Sequence, residues 1–157
     1  MEQDVNCPKY LFHGSPKLLD NVEIRKSYDS KGNERNIDVA VFVTSSFLLA
    51  TAYAFKDKIK EKSLKNGLKY SFDIKNRLEL PIMIMDNVII PDELEGYVYV
   101  FEDNDNFVND PAGSLQYKAY DNLRPIDIIK INYDDFKSSY EIKKENEKSA
   151  FSNEIVV

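Results

Sequence analysis

The chain has 157 residues, 43% hydrophobic and 31% charged, with ten tyrosines, nine phenylalanines and a net charge of −6. That length suits one domain with one core, and so many apolar side chains exclude a disordered polyelectrolyte. No apolar run reaches the roughly 20 residues of a membrane-spanning helix, no secretion signal is visible, and Cys7 is the single cysteine, so one cytoplasmic domain over residues 1–157 is expected.

The segment "KYLFH" (9–13) reads as a short strand, closed by Gly14 and Pro16. "SYDSKGNERN" (27–36) has the polar, turn-forming composition of a surface loop. "VAVFVT" (39–44) is a continuous β-branched and aromatic run, as in a strand buried on both faces. In "SSFLLATAYAFKDKIKEK", Ser45 or Ser46 can cap a helix over about 46–62 by accepting from an N–H of the first turn. Leu49 and Tyr53 lie one turn apart on that helix and share a face. Its lysines gather at the C-terminal end, where they complement the helix dipole.

Strand patterns then return in "LKYSFDI" (68–74), "PIMIMDNVII" (81–90), "GYVYVFE" (96–102), "LQYKAYD" (115–121) and "PIDIIKINY" (125–133). "DDFKSSYEIKKENEK" (134–148) reads as a short helix with a frayed, charged tail. The expected class is α+β, with a sheet-rich core over about 9–133 and a C-terminal helix and tail over 134–157.

Charge is unevenly spread. Residues 86–110 hold eight acids and no Lys or Arg, whereas "KDKIKEKSLK" (56–65) holds five lysines against two acids. A broad basic face for duplex phosphate is therefore excluded, and nucleic acid is not an expected partner. The lysine run is either a solvated helix face or a means of neutralising a diphosphate. One histidine and one cysteine cannot build an ordinary zinc site. "EDNDNFVND" lacks the glycine and terminal glutamate of an EF-hand loop.

Three pieces remain in order: "HGS" after the first strand, "VFVTSSFLLATAYAF" as strand then helix, and "GSLQYKAYDNLRPIDIIKI" near the C-terminus. Together they resemble the ADP-ribosyltransferase fold of the diphtheria-toxin and poly(ADP-ribose) polymerase branch, over roughly residues 9–133. The resemblance implies a split β-sheet core with few helices and NAD as substrate. It implies that His13 holds the nicotinamide ribose, that the Gly14 backbone binds the carboxamide with Ser15 completing the motif, and that Tyr53 stacks on the nicotinamide ring. The chemistry suits these residue types, because cleaving the nicotinamide–ribose bond needs grip, orientation and stabilisation of positive charge on the sugar. Structural readings stand beside these roles: His13 as a satisfied strand-end residue, Ser15 as a turn residue, Tyr53 as core, with Tyr28, Tyr70 or Tyr97 as the stacking ring instead.

The third piece departs from the family pattern. Gln116 stands where the family has a glutamate; an amide keeps the acceptor but cannot carry charge or act as a base. Asp110 and Asp121 are the nearest alternative carboxylates. The family also resembles RNA 2′-phosphotransferases, which need basic residues that the acidic 86–110 block does not supply. Arg25 and Arg35 are candidates for a diphosphate contact, and Arg124 for a solvent-facing strand end. The expected activity is a mono-ADP-ribosyltransferase of the glycosyltransferase class, acting on a protein or small-molecule acceptor. The alternatives are a degenerate NAD- or ADP-ribose-binding module and an acidic interaction protein.

Overall fold

In the computed structural model, which describes residues 3–18, 25–28, 34–75, 82–110 and 113–142, the first strand organises the rest. β1 (Tyr10–Ser15) is antiparallel to its two neighbours, β3 (Glu34–Thr44) and β6 (Glu95–Glu102). Outward from these lie β8 (Gln116–Ala119), β7 (Val108–Asn109) and β9 (Asp127–Asn132), in the order β7-β8-β3-β1-β6-β9, and β2 (Arg25–Tyr28) pairs with β3. A second sheet joins β4 (Ser71–Lys75), β5 (Ile82–Asp86) and β10 (Glu141–Ile142) in the order β10-β5-β4. The class is α+β, with α1 (Phe47–Lys65) the one α-helix among the described residues.

Side-chain alternation divides the main sheet into two apolar faces. Phe12, Val98, Val100 and Ile131 turn towards α1, while Leu11, Val41, Val43, Tyr99, Phe101 and Ala119 form a separate cluster on the far face. Each fully buried large side chain of this kind contributes about 1.5–3 kcal/mol.

The helix begins where Ser46 accepts a hydrogen bond from Leu49 N–H at 3.1 Å, and it ends with Lys62 and Lys65 in its last turn. Ala50 and Ala54 face β1 and β6 across Gly14 and Gly96. A Cβ on Gly14 would stand 1.9 Å from the Ala50 carbonyl oxygen, so helix and strand approach this closely only because residue 14 has no side chain. One flank of α1 packs on the C-terminal segment: Phe55 lies edge-on to Tyr133 at 5.5 Å, and the Thr51 and Tyr140 hydroxyls are hydrogen-bonded.

Several sequence boundaries shift. β1 runs through Gly14 and Ser15 rather than stopping at His13, because β6 pairs with it as far as Ser15 opposite Tyr97. The helix is capped by Ser46 and extends to Lys65, beyond the expected end at 62. The expected loop over 27–36 instead holds parts of β2 and β3, joined as a hairpin that overrides the polar composition. The helix expected over 134–148 is absent from its described part. Two 3-10 turns, Tyr133–Asp135 and Lys137–Ser139, occupy it before β10, since docking of Tyr133 and Tyr140 against α1 and pairing with β5 outweigh local helix propensity. The charged tail from 143 lies outside the described residues. No helix among the described residues is long and apolar enough to cross a membrane.

Candidate functional site

Hydrogen-bond alternation decides what the seam between β1 and β3 offers. Asp103 N–H donates to the Lys9 carbonyl, so residue 9 directs its main chain at β6. Residues 10, 12 and 14 therefore direct theirs at β3. Only one rung joins these two strands, Phe12 opposite Thr44, whereas β1 and β6 share six.

Each end of that rung is closed differently. Towards the N-terminus, Gln3 inserts its carboxamide: Nε2 donates to the Tyr10 carbonyl at 2.7 Å and the Ser45 carbonyl at 2.9 Å, and Oε1 accepts from Tyr10 N–H at 3.0 Å. Towards the C-terminus, the next rung would join Gly14 to Phe42. Instead His13 Nδ1 lies 2.8 Å from the Phe42 carbonyl and takes the acceptor that Gly14 N–H would have used. The strands part here, with the Gly14 N–H and C=O pointing into the opening.

Because a carbonyl can only accept, Nδ1 carries the proton; in the neutral ring Nε2 is then the acceptor. The ring is half-buried and lies 6.3 Å from that of Tyr99 on the far face. Ser15 is buried and accepts from Lys17 N–H at 3.2 Å, the arrangement of a local turn.

Tyr53 is half-buried on α1. Leu49, Tyr53, Lys56 and Lys60 recur at helical spacing on the flank opposite Thr51 and Phe55, the flank on the β3 side. Lys56 Nζ is 5.0 Å from the Tyr53 ring centre and 5.7 Å from that of Phe72 on β4. Tyr70 stacks on Phe72 at 6.3 Å, and burial, then the Asp57 charge, push its hydroxyl well above the usual tyrosine range. Of the other rings considered for stacking, Tyr97 lies on the far face, and the Tyr28 side chain is outside the described part.

Gln116 pairs with Thr44 and so shares the rung of Phe12. Two strand spacings put it about 10 Å from Phe12, on the side of the sheet that carries α1. His13 belongs by alternation to the opposite side. The structure thus brings His13, Gly14 and the Tyr53 flank to one seam, with Gln116 two strands away. The Gln116 carbonyl is held by Asn109 Nδ2 at 2.9 Å and Asp110 N–H at 2.9 Å, and Asn109 also bonds Ser114 and Gly113.

The alternative carboxylates differ. Asp110 is beside Gln116 but its charge is matched by Lys118 at 3.1 Å, a side chain only 11% exposed. Asp121 is exposed after the end of β8, and Arg124 is exposed before β9. The side chains of Arg25 and Arg35, and with them the suggested diphosphate contacts, fall outside the described part. At the remote end of β6, Glu93, Glu95, Asp134 and Asp135 line a shallow cleft of about 520 Å³ with Leu94 and Asn132, and Lys130 pairs with Glu95 at 3.2 Å. Among the described residues, no group of three or more His, Cys, Asp and Glu is placed to hold a metal ion.

Gln3 and Asn109 carry much of this geometry, and neither stands out from the sequence. Each is a single polar side chain doing the work of a missing backbone partner, which no spacing rule marks. The protein-family models, the curated proteins and the solved structures each contain no match to this chain.

Proposed function

We propose that the open half of the β1–β3 seam binds the nicotinamide end of NAD, in a domain of the ADP-ribosyltransferase type. One observation carries this reading. The same seam already holds a carboxamide, that of Gln3, against the N–H and C=O of Tyr10. Gly14 repeats that donor and acceptor pair four residues on, facing the gap that His13 keeps open. Nicotinamide ends in the same group.

The other roles follow from chemistry. A ribose hydroxyl donates to His13 Nε2, the acceptor left by the bond to Phe42. Tyr53, on the seam side of α1, supplies a ring for the pyridinium. Gln116 accepts from a ribose hydroxyl without adding charge, so sugar-cation character is less stabilised than with a carboxylate. The proposed reaction breaks the nicotinamide–ribose bond and transfers ADP-ribose to a protein or small-molecule acceptor.

Titration calorimetry with NAD tests the reading. Binding by the wild type, weakened about tenfold or more in both His13→Ala and Tyr53→Ala, is the expected result. No heat of binding and no nicotinamide release would overturn it.

A second reading, a binding module without turnover, is favoured by the amide at 116 together with the Lys118 charge that matches Asp110. Nicotinamide release from NAD by the wild type counts against it. Release that appears only in Gln116→Glu supports it, and marks position 116 as the one that lost the acid.

A further inference from the structure

The Tyr53 ring already has a cation on it. Lys56 is three residues along α1, and its ammonium lies within about 6 Å, the range for cation–π attraction, of two rings from different elements, Tyr53 on α1 and Phe72 on β4. Lys60 sits similarly over Tyr70, at 6.0 Å. Tyr70 and Phe72 are near parallel, 9° apart, so this flank of α1 presents three rings and two ammoniums.

A pyridinium stacking on Tyr53 meets this resident charge in either of two ways. On the same face, ring and ammonium cannot occupy the same space. On the opposite face, two like charges are held less than a Debye length apart across one ring. A neutral ring escapes the repulsion. A pyridinium that brings a diphosphate removes it, because the phosphates offer the ammonium a stronger partner than a ring quadrupole.

We propose that Lys56 is a selectivity residue of the seam: it disfavours bare cationic rings on Tyr53 and admits them when an attached diphosphate draws the ammonium away. The proposal rests on the NAD reading above and deepens it. Lys56 contacts the ligand through phosphate, and Lys60, over Tyr70, does not take part.

Three probes separate the effects in calorimetry on the full chain: NAD, 1-methylnicotinamide, which is cationic without phosphate, and neutral nicotinamide. In Lys56→Met, which keeps the stem and loses the charge, 1-methylnicotinamide is expected to bind about fivefold tighter and NAD about five- to tenfold weaker. Nicotinamide should be unchanged. Lys56→Gln should repeat the pattern, which guards against a packing effect of either variant. NAD and 1-methylnicotinamide shifting in the same direction, or neither shifting, would overturn the proposal. So would the same pattern in Lys60→Met. If Tyr53→Ala weakens NAD while Lys56→Met is silent, this inference falls and the NAD reading stands. If the wild type does not bind NAD, both fall.

Discussion

Tyr10 and Gly14 flank the Phe12 rung at equal distances on one strand and face the same neighbour, yet their main chains end differently. Tyr10 is satisfied by a side-chain carboxamide from Gln3, whereas Gly14 looks into a gap that the His13 imidazole holds open. The difference teaches that the opening is not a fraying strand end. β1 continues beside β6 through Ser15, so only the β3 side has let go, and it has done so where a histidine replaces a rung.

The largest effect that tests this contrast is expected at Gly14. A Cβ at 1.9 Å from the Ala50 carbonyl must push α1 off the strand, so Gly14→Ala should lose about 3 kcal/mol in urea denaturation. Gln3→Ala leaves the Tyr10 N–H and C=O without their amide and should cost about 2 kcal/mol. Calorimetry on that variant should show NAD affinity unchanged, because the two halves of the seam are separated by an intact rung. A loss of NAD affinity in Gln3→Ala would mean that the halves act as one unit, and the comparison would need redrawing.

His13→Ala should be milder for the fold, about 1 kcal/mol, since the ring is half-buried and water can reach the Phe42 carbonyl. Its larger consequence should appear in ligand affinity, the reverse of Gln3→Ala. The smallest effect concerns the flank of α1 away from the seam. Burial, aided by the Asp134 charge, pushes the Tyr133 hydroxyl up to about 12. A tyrosine whose folded value exceeds its unfolded value of about 10 keeps its full stabilisation below that pH and loses it as pH rises towards 12. A urea midpoint that falls over this window in the wild type, and less in Tyr133→Phe, is the expected result.

Much of the scaffold could be read from the residues. Ser46, the apolar period from Leu49 and the terminal lysines specify α1, and alternation in "GYVYVFE" specifies β6. These are local signals, set by neighbours within one turn or one pleat. The seam is not local. Whether β1 and β3 share one rung or several depends on a contact between residues 13 and 42, and its other end on residue 3 reaching 10 and 45. Gly14 was picked out from the sequence for the approach of a ligand, but the structure gives it a second reason, the Ala50–Ala54 surface of α1. The C-terminal turns were missed because tertiary docking of Tyr133 and Tyr140, rather than propensity, decides their form.

The clamp around residue 116 has a consequence for how this chain changes over generations. Asn109 and Asp110 grip the carbonyl of Gln116, not its amide, so the strand holds its place whichever side chain stands there. Glutamine and glutamate codons differ by one base. A lineage can therefore switch the charge at this position on or off in a single mutational step without refolding anything, which makes the identity of residue 116 a poor record of ancestry and a sensitive record of recent selection.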